Sequence, residues 1–181
     1  MKPLDKIFTP DEASLDPAMG PFLRLTKEQW EAHERTTLAT QHQEIAALTC
    51  LESVPAHIRQ NVELSKNLLL YSFFVYEFAT AATHYAAVAL EASLRRALGK
   101  TEECRDNLDM MLEEAVERGM LSKTDHELVS AKRFVSSSRN GLAHGKEGRD
   151  VLNYTLSFPF VEMVIRAINA LFPDNPSTDS P

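Results

Sequence analysis

The sequence predicts an all-α bundle of about five helices, one of them long, and three observations carry that expectation. Seven of the nine prolines stand at or before Pro21 or at or after Pro173. Only Pro55 and Pro159 lie between them, and proline breaks helix interiors, so the long middle is open to helices. Apolar residues there recur at steps of three and four, the spacing of a helical stripe and not of a strand. Helix start and stop signals bracket the stripes, and no convincing strand alternation or internal repeat appears.

The elements follow in order. Residues 1–25 read as an irregular arm and residues 173–181, rich in Asp, Asn, Ser and Thr, as a disordered tail. The helical domain between them is expected over residues 26–172. Thr26 with Gln29 forms a capping box, and Leu25 with Trp30 has the spacing of a hydrophobic staple. That first helix should run to about Leu51. The second is expected to be the longest, because no Gly or Pro occurs from Ala56 to Leu98, and Gly99 then supplies a stop. Its stripe is Leu64, Leu68, Tyr71, Val75, Phe78, Ala82, Tyr85, Ala89 and Ala92. Tyr71, Phe73, Phe74, Tyr76 and Phe78 form an aromatic cluster around this helix, suited to a core or a dimer interface. A third helix fits Glu102 to Arg118 with Gly119 as its stop. A fourth starts at Thr124, where Glu127 completes a second capping box, and it turns Leu128, Ala131, Phe134 and Val135 inward. A fifth fits Phe160 to Leu171, preceded by a possible extended stretch from Val151 to Phe158.

Composition narrows the classes of function. Hydrophobic residues make up 44% and charged residues 25%, an ordinary globular balance that can fill a core. Net charge is −7, which argues against broad non-specific nucleic-acid binding but leaves room for a small basic site. Cys50 and Cys104 form neither a disulfide framework nor a metal-ligand spacing, so a reducing, cytoplasmic setting is expected. The first residues have no apolar core behind them and do not read as a secretory signal. Leu68 to Leu90 is long and apolar enough to consider as a membrane span. Glu77 and His84 inside it would be costly in lipid, so it reads as a core helix and no membrane is expected.

One segment carries chemistry: Ser136-Ser137-Ser138-Arg139-Asn140-Gly141-Leu142-Ala143-His144-Gly145-Lys146. Three of the six glycines, Gly141, Gly145 and Gly148, gather here, so a helix should fray or turn. At about 100° per residue Asn140 and His144 share a face, and Arg139 can reach it. Those groups suit phosphodiester cleavage of RNA, whose own 2′-hydroxyl is the nucleophile. His144 titrates near neutral pH and can move protons. Arg139 can hold a phosphate by two parallel hydrogen bonds. Asn140 can orient either, and Lys146 and Arg149 can add local positive charge for RNA. The plain alternative is structural: Asn-Gly is a turn dipeptide, and Arg and His near a helix C-terminus meet the helix dipole favourably.

Arg139-Asn140-x-x-x-His144 resembles the signature of the HEPN superfamily (higher eukaryotes and prokaryotes nucleotide-binding domains), which ends a late helix in an all-α chain. Ala89-Leu90-Glu91-Ala92-Ser93-Leu94-Arg95 is similar to the Leu-Glu-Ala-rich turn on the long core helix of that family. The resemblance runs from about Asn67 to Phe172 and leaves the N-terminal arm unexplained. It implies a HEPN-like fold and a metal-independent endoribonuclease that needs no cofactor. It also implies a homodimer with Arg139 and His144 of both copies facing one cleft. Roles in toxin–antitoxin systems or defence, with an antitoxin or other regulatory partner, follow from the same resemblance. Inactive members serve as RNA-binding or protein-interaction modules, and that is the alternative expectation here.

Other candidates are weaker. Glu77, His84 and Glu91 are seven apart and fall on one stripe, which Arg95 extends. Glu91 is expected either to support the Arg139–His144 site or simply to pair with Arg95 on a solvated face. His33, His42, His57, His84, His126 and His144 show no zinc-ligand spacing, so no metal is expected. The cysteines have no neighbours that would activate a thiolate. Phe22, Leu23 and Leu25 of the arm could pack across a dimer seam.

Overall fold

A computed structural model describes residues 38–101, 106–122 and 154–173. Among them are five α-helices and no strand, an all-α bundle. The helices are α1 (Leu38–Ala46), α2 (Ala56–Tyr71), α3 (Phe78–Ala97), α4 (Leu108–Glu117) and α5 (Tyr154–Leu171). α2 and α3 make the most extensive contact, α5 packs along α3, α1 and α5 both touch α2, and α4 touches α3.

α3 is the centre because its sequence can be buried on a wide arc. Ala79, Ala82, Ala86 and Ala89 are buried at three- and four-residue spacing. Such small side chains let α2 come close. Ser65 of α2 donates its hydroxyl to the Ala82 carbonyl at 2.7 Å, so its polar atom is satisfied inside the contact. Leu90 and Leu94 of α3 join Ile58, Val62 and Leu69 of α2, Met111 and Leu112 of α4, and Val161, Val164 and Ile168 of α5 in one core. Each such side chain contributes roughly 1.5–3 kcal/mol by leaving water.

The glycine stops hold. Gly99 and Gly119 have φ of +69° and +68°. Lys100 N–H donates to Arg95 O at 2.8 Å and Gly99 N–H to Arg96 O at 3.3 Å, a Schellman ending. Met120 and Gly119 repeat the pattern on Ala115 and Val116. α4 starts at Leu108, later than Glu102, because the Asn107 side chain accepts from Met110 N–H at 2.9 Å and caps it there.

Further expectations are corrected. The stretch Ala56 to Leu98 is two helices and not one, since residues 72–77 form turns between α2 and α3. No Gly or Pro marks the break. Ser72 bonds its hydroxyl back to Leu69 O at 2.6 Å, and Gln41 of α1 donates Nε2 to Leu69 O at 2.9 Å and to Leu70 O at 3.3 Å. The Leu69 carbonyl is thus met by the Ser72 hydroxyl and by a donor from α1, while Leu70 O also accepts from Phe73 N–H at 3.2 Å. Phe73, Tyr76 and Ser72 are buried by the turn, which a straight helix would not achieve. The aromatic cluster divides accordingly, with Tyr71 and Phe78 exposed. Of the stripe read as core, Ala82 and Ala89 are buried, whereas Leu64, Tyr71, Phe78 and Tyr85 lie on the surface.

α1 stops at Ala46 and does not reach Leu51. Asn169 of α5 explains this, because its side-chain oxygen accepts from Leu51 N–H at 3.0 Å and its Nδ2 donates to Thr49 O at 2.9 Å. The backbone of 49–51 is therefore bonded to a side chain 118 to 120 positions away and not to a helix of its own. Ser53 also donates to Phe172 O at 2.6 Å.

α5 covers Tyr154–Leu171, so Tyr154 to Phe158 is helical and not extended, with Pro159 inside the helix; residues 151–153 of the expected stretch lie outside the described residues. Proline removes one hydrogen bond there. One tertiary and one local contact hold this turn nonetheless: Tyr154 donates its hydroxyl to Glu44 of α1 at 2.8 Å, and its ring meets Phe158 of its own helix at 5.6 Å. Leu68 to Leu90 spans the α2–α3 turn, and among the described residues no helix is long and apolar enough to cross a membrane.

Candidate functional site

Arg139, Asn140, His144, Lys146 and Arg149 lie outside the described residues, as do Thr26, Thr124, Cys104, His33 and His126. The structure does describe the α3 stripe expected to support them. Glu91 and Arg95 are one turn apart and pair at 3.2 Å, with 18% and 27% of their side chains exposed. This is the i, i+4 pair that spacing alone suggests. Arg95 also reaches Asp106 O at 3.5 Å. Glu91 thus already has a cation partner on its own helix.

Glu77 and His84 differ from that pair. Glu77 is exposed at the start of α3. His84 is half-buried, its ring edge-on to Tyr85 at 5.9 Å between centroids. Its Nδ1 is enclosed without a hydrogen-bond partner among the described residues. The stripe is therefore not uniformly solvated; it grades from an open carboxylate to an enclosed imidazole to a paired carboxylate.

A charge cluster that sequence reading missed ties the end of α3 to α4. Lys100 contacts Asp106 and Glu114 at 2.8 Å each, and Arg118 pairs with Glu114 from the next turn. Donating hydrogen bonds to Asp106 and Glu114 pushes the Lys100 ammonium above its ordinary pKa, and Lys100 in turn holds Glu114 below its own. The Schellman turn at Gly99 aims Lys100 toward α4, and no local pattern announces its partners. Every charge here is met by another, which suits a brace better than a binding site.

Two further groups have chemical potential that the fold suppresses. Burial raises the Cys50 thiol pKa against the lowering effect of Arg59, so the thiolate is disfavoured. Burial, with the hydrogen bond to Glu44, raises the Tyr154 hydroxyl well above its usual range and keeps it a donor. Among the described residues no group of three or more His, Cys, Asp or Glu side chains is placed to hold a metal ion.

Compared with known proteins, the chain matches no protein-family profile, no curated protein and no solved structure.

Proposed function

We propose that this chain is a metal-independent endoribonuclease of the HEPN type, acting as a homodimer in the cytoplasm. The observation that carries the reading is the complete Arg139-Asn140-x-x-x-His144 motif in a chain whose described regular elements are all helices. In this reading Arg139 holds the scissile phosphate and offsets the charge that builds on it. His144 moves the proton, as base toward the 2′-hydroxyl or as acid toward the departing 5′-oxygen. The 2′-oxygen attacks phosphorus, the bond to the 5′-oxygen breaks, and the products are a 2′,3′-cyclic phosphate and a 5′-hydroxyl. Asn140 positions the two working groups, and Lys146 with Arg149 draws the RNA. A toxin or defence role, with an antitoxin or similar regulator, fits an enzyme that must be restrained.

The second reading is a non-catalytic helical RNA-binding or protein-interaction module. The Glu91–Arg95 pair is the arrangement this reading expects of Glu91. The net charge of −7 also favours protein over RNA as the partner.

Cleavage of mixed RNA in excess chelator separates the readings. Wild type should cut, and Arg139→Ala and His144→Ala should not. A folded wild type that binds RNA or protein without cutting supports the module. Equal cutting by all three proteins rejects the assigned residues.

A further inference from the structure

We infer that one flank of the α2–α3 hairpin is the surface on which a second copy of this chain docks, with α3 of one copy antiparallel to α3 of the other. The inference rests on the homodimer of the proposed function and locates its seam, but it needs none of Arg139, Asn140 or His144.

Four large apolar side chains are exposed on the hairpin: Leu64 at 40%, Tyr71 at 54%, Phe78 at 37% and Tyr85 at 36%. They are not scattered. Ser65 touches Ala82 and fixes where the two helices meet. At about 100° per residue, Leu64 and Tyr71 are turned from Ser65 in the same sense as Phe78 and Tyr85 from Ala82. In antiparallel neighbours equal senses of offset lead to the same side. The contact also sets the level, with Leu64 near Tyr85 and Tyr71 near Phe78. The result is one apolar flank two helices wide.

The charges around the flank select its occupant. From Phe78 to Leu90 there is no Asp, Glu, Lys or Arg in a chain of net charge −7. A second copy meets repulsion on acidic surface but not here. The two charged residues that bound the face are exposed, Glu77 at the start of α3 and Arg96 near its end. Neither is in an ion pair among the described residues. Arg96 lies three turns from Tyr85 on the same stripe. A two-fold axis crossing α3 between Ala86 and Ala87 sets Arg96 of each copy against Glu77 of the other. The same axis sets Ala81 against Ala92, both half-buried, where small side chains allow close approach. The face is therefore self-complementary in charge, as an isologous contact requires.

Sedimentation of the full chain over a range of concentrations tests this with a charge swap. Wild type should form a dimer. Glu77→Arg alone and Arg96→Glu alone should each weaken it by about tenfold or more. The double variant, Glu77→Arg with Arg96→Glu, should recover it. Phe78→Glu with Tyr85→Glu should give a monomer with wild-type helical signal, since both sites are exposed. A wild type that stays monomeric overturns the inference. So does a dimer indifferent to the single charge reversals, a double variant no better than the singles, or a dimer that survives the Phe78 and Tyr85 changes.

Discussion

Gln41 of α1 reaches across 28 positions to place its Nε2 2.9 Å from the carbonyl oxygen of Leu69, at the last turn of α2. The same nitrogen lies 3.3 Å from Leu70 O. A helix end needs such partners, because its final carbonyls have none within the helix. This side chain helps decide that α2 stops where it does and that α3 folds back to become the central helix.

Gln41→Ala should therefore destabilise the fold by about 1–3 kcal/mol, because two carbonyls lose a buried donor. Urea unfolding measures it. A change below about 0.5 kcal/mol, the usual range for surface substitutions, would mean that Ser72 alone ends α2.

Asn169→Ala should act at a distance in sequence. It removes both bonds to the 49–51 backbone, so the Leu51 amide should exchange with solvent faster while amides in the α2–α3 contact keep their protection. Uniform acceleration at all sites would instead mean that Asn169 supports the whole fold.

The Schellman glycines offer a backbone test. A Cβ at Gly99 or Gly119 meets nothing within 4 Å, so any cost of alanine there comes from the positive φ alone. Gly99→Ala and Gly119→Ala should each cost about 1–2 kcal/mol in unfolding experiments. Neutral outcomes would show that these turns relax.

The brace between α3 and α4 gives a pH dependence with a definite sign. The Glu114 carboxyl is held below its ordinary value of 4.5, mainly by Lys100. A depressed carboxylate contributes stability above its unfolded pKa and loses it as pH falls through the folded one. Wild type should thus exceed Glu114→Gln in stability at neutral pH, and the gap should close in acid. The raised Lys100 ammonium contributes below its unfolded pKa, and that part should fade only in strong alkali. A gap unchanged from neutral pH into acid would contradict the brace.

These positions show what the sequence makes legible. The stops at Gly99 and Gly119 are readable because positive φ selects glycine locally. The Glu91–Arg95 pair is readable because helix spacing alone brings it together. The break at residues 72–77 is not, since its causes are Gln41 and the burial of Phe73 and Tyr76, which arise only in the folded chain. Periodicity likewise groups Leu64, Tyr71, Phe78 and Tyr85 on a stripe but cannot say whether the stripe faces inward. Folding the stretch into a hairpin leaves them outside. For the candidate site, the residue types and spacing of Arg139, Asn140 and His144 are the legible part. Their approach to one another is a tertiary matter that spacing does not fix.

The chemistry of the RNA ends tests the central claim most directly. Wild-type protein in excess chelator should leave 2′,3′-cyclic phosphates and 5′-hydroxyls, and His144→Ala should leave the RNA intact. Cleavage giving 3′-hydroxyls and 5′-phosphates, or cleavage that His144→Ala retains in full, would contradict it.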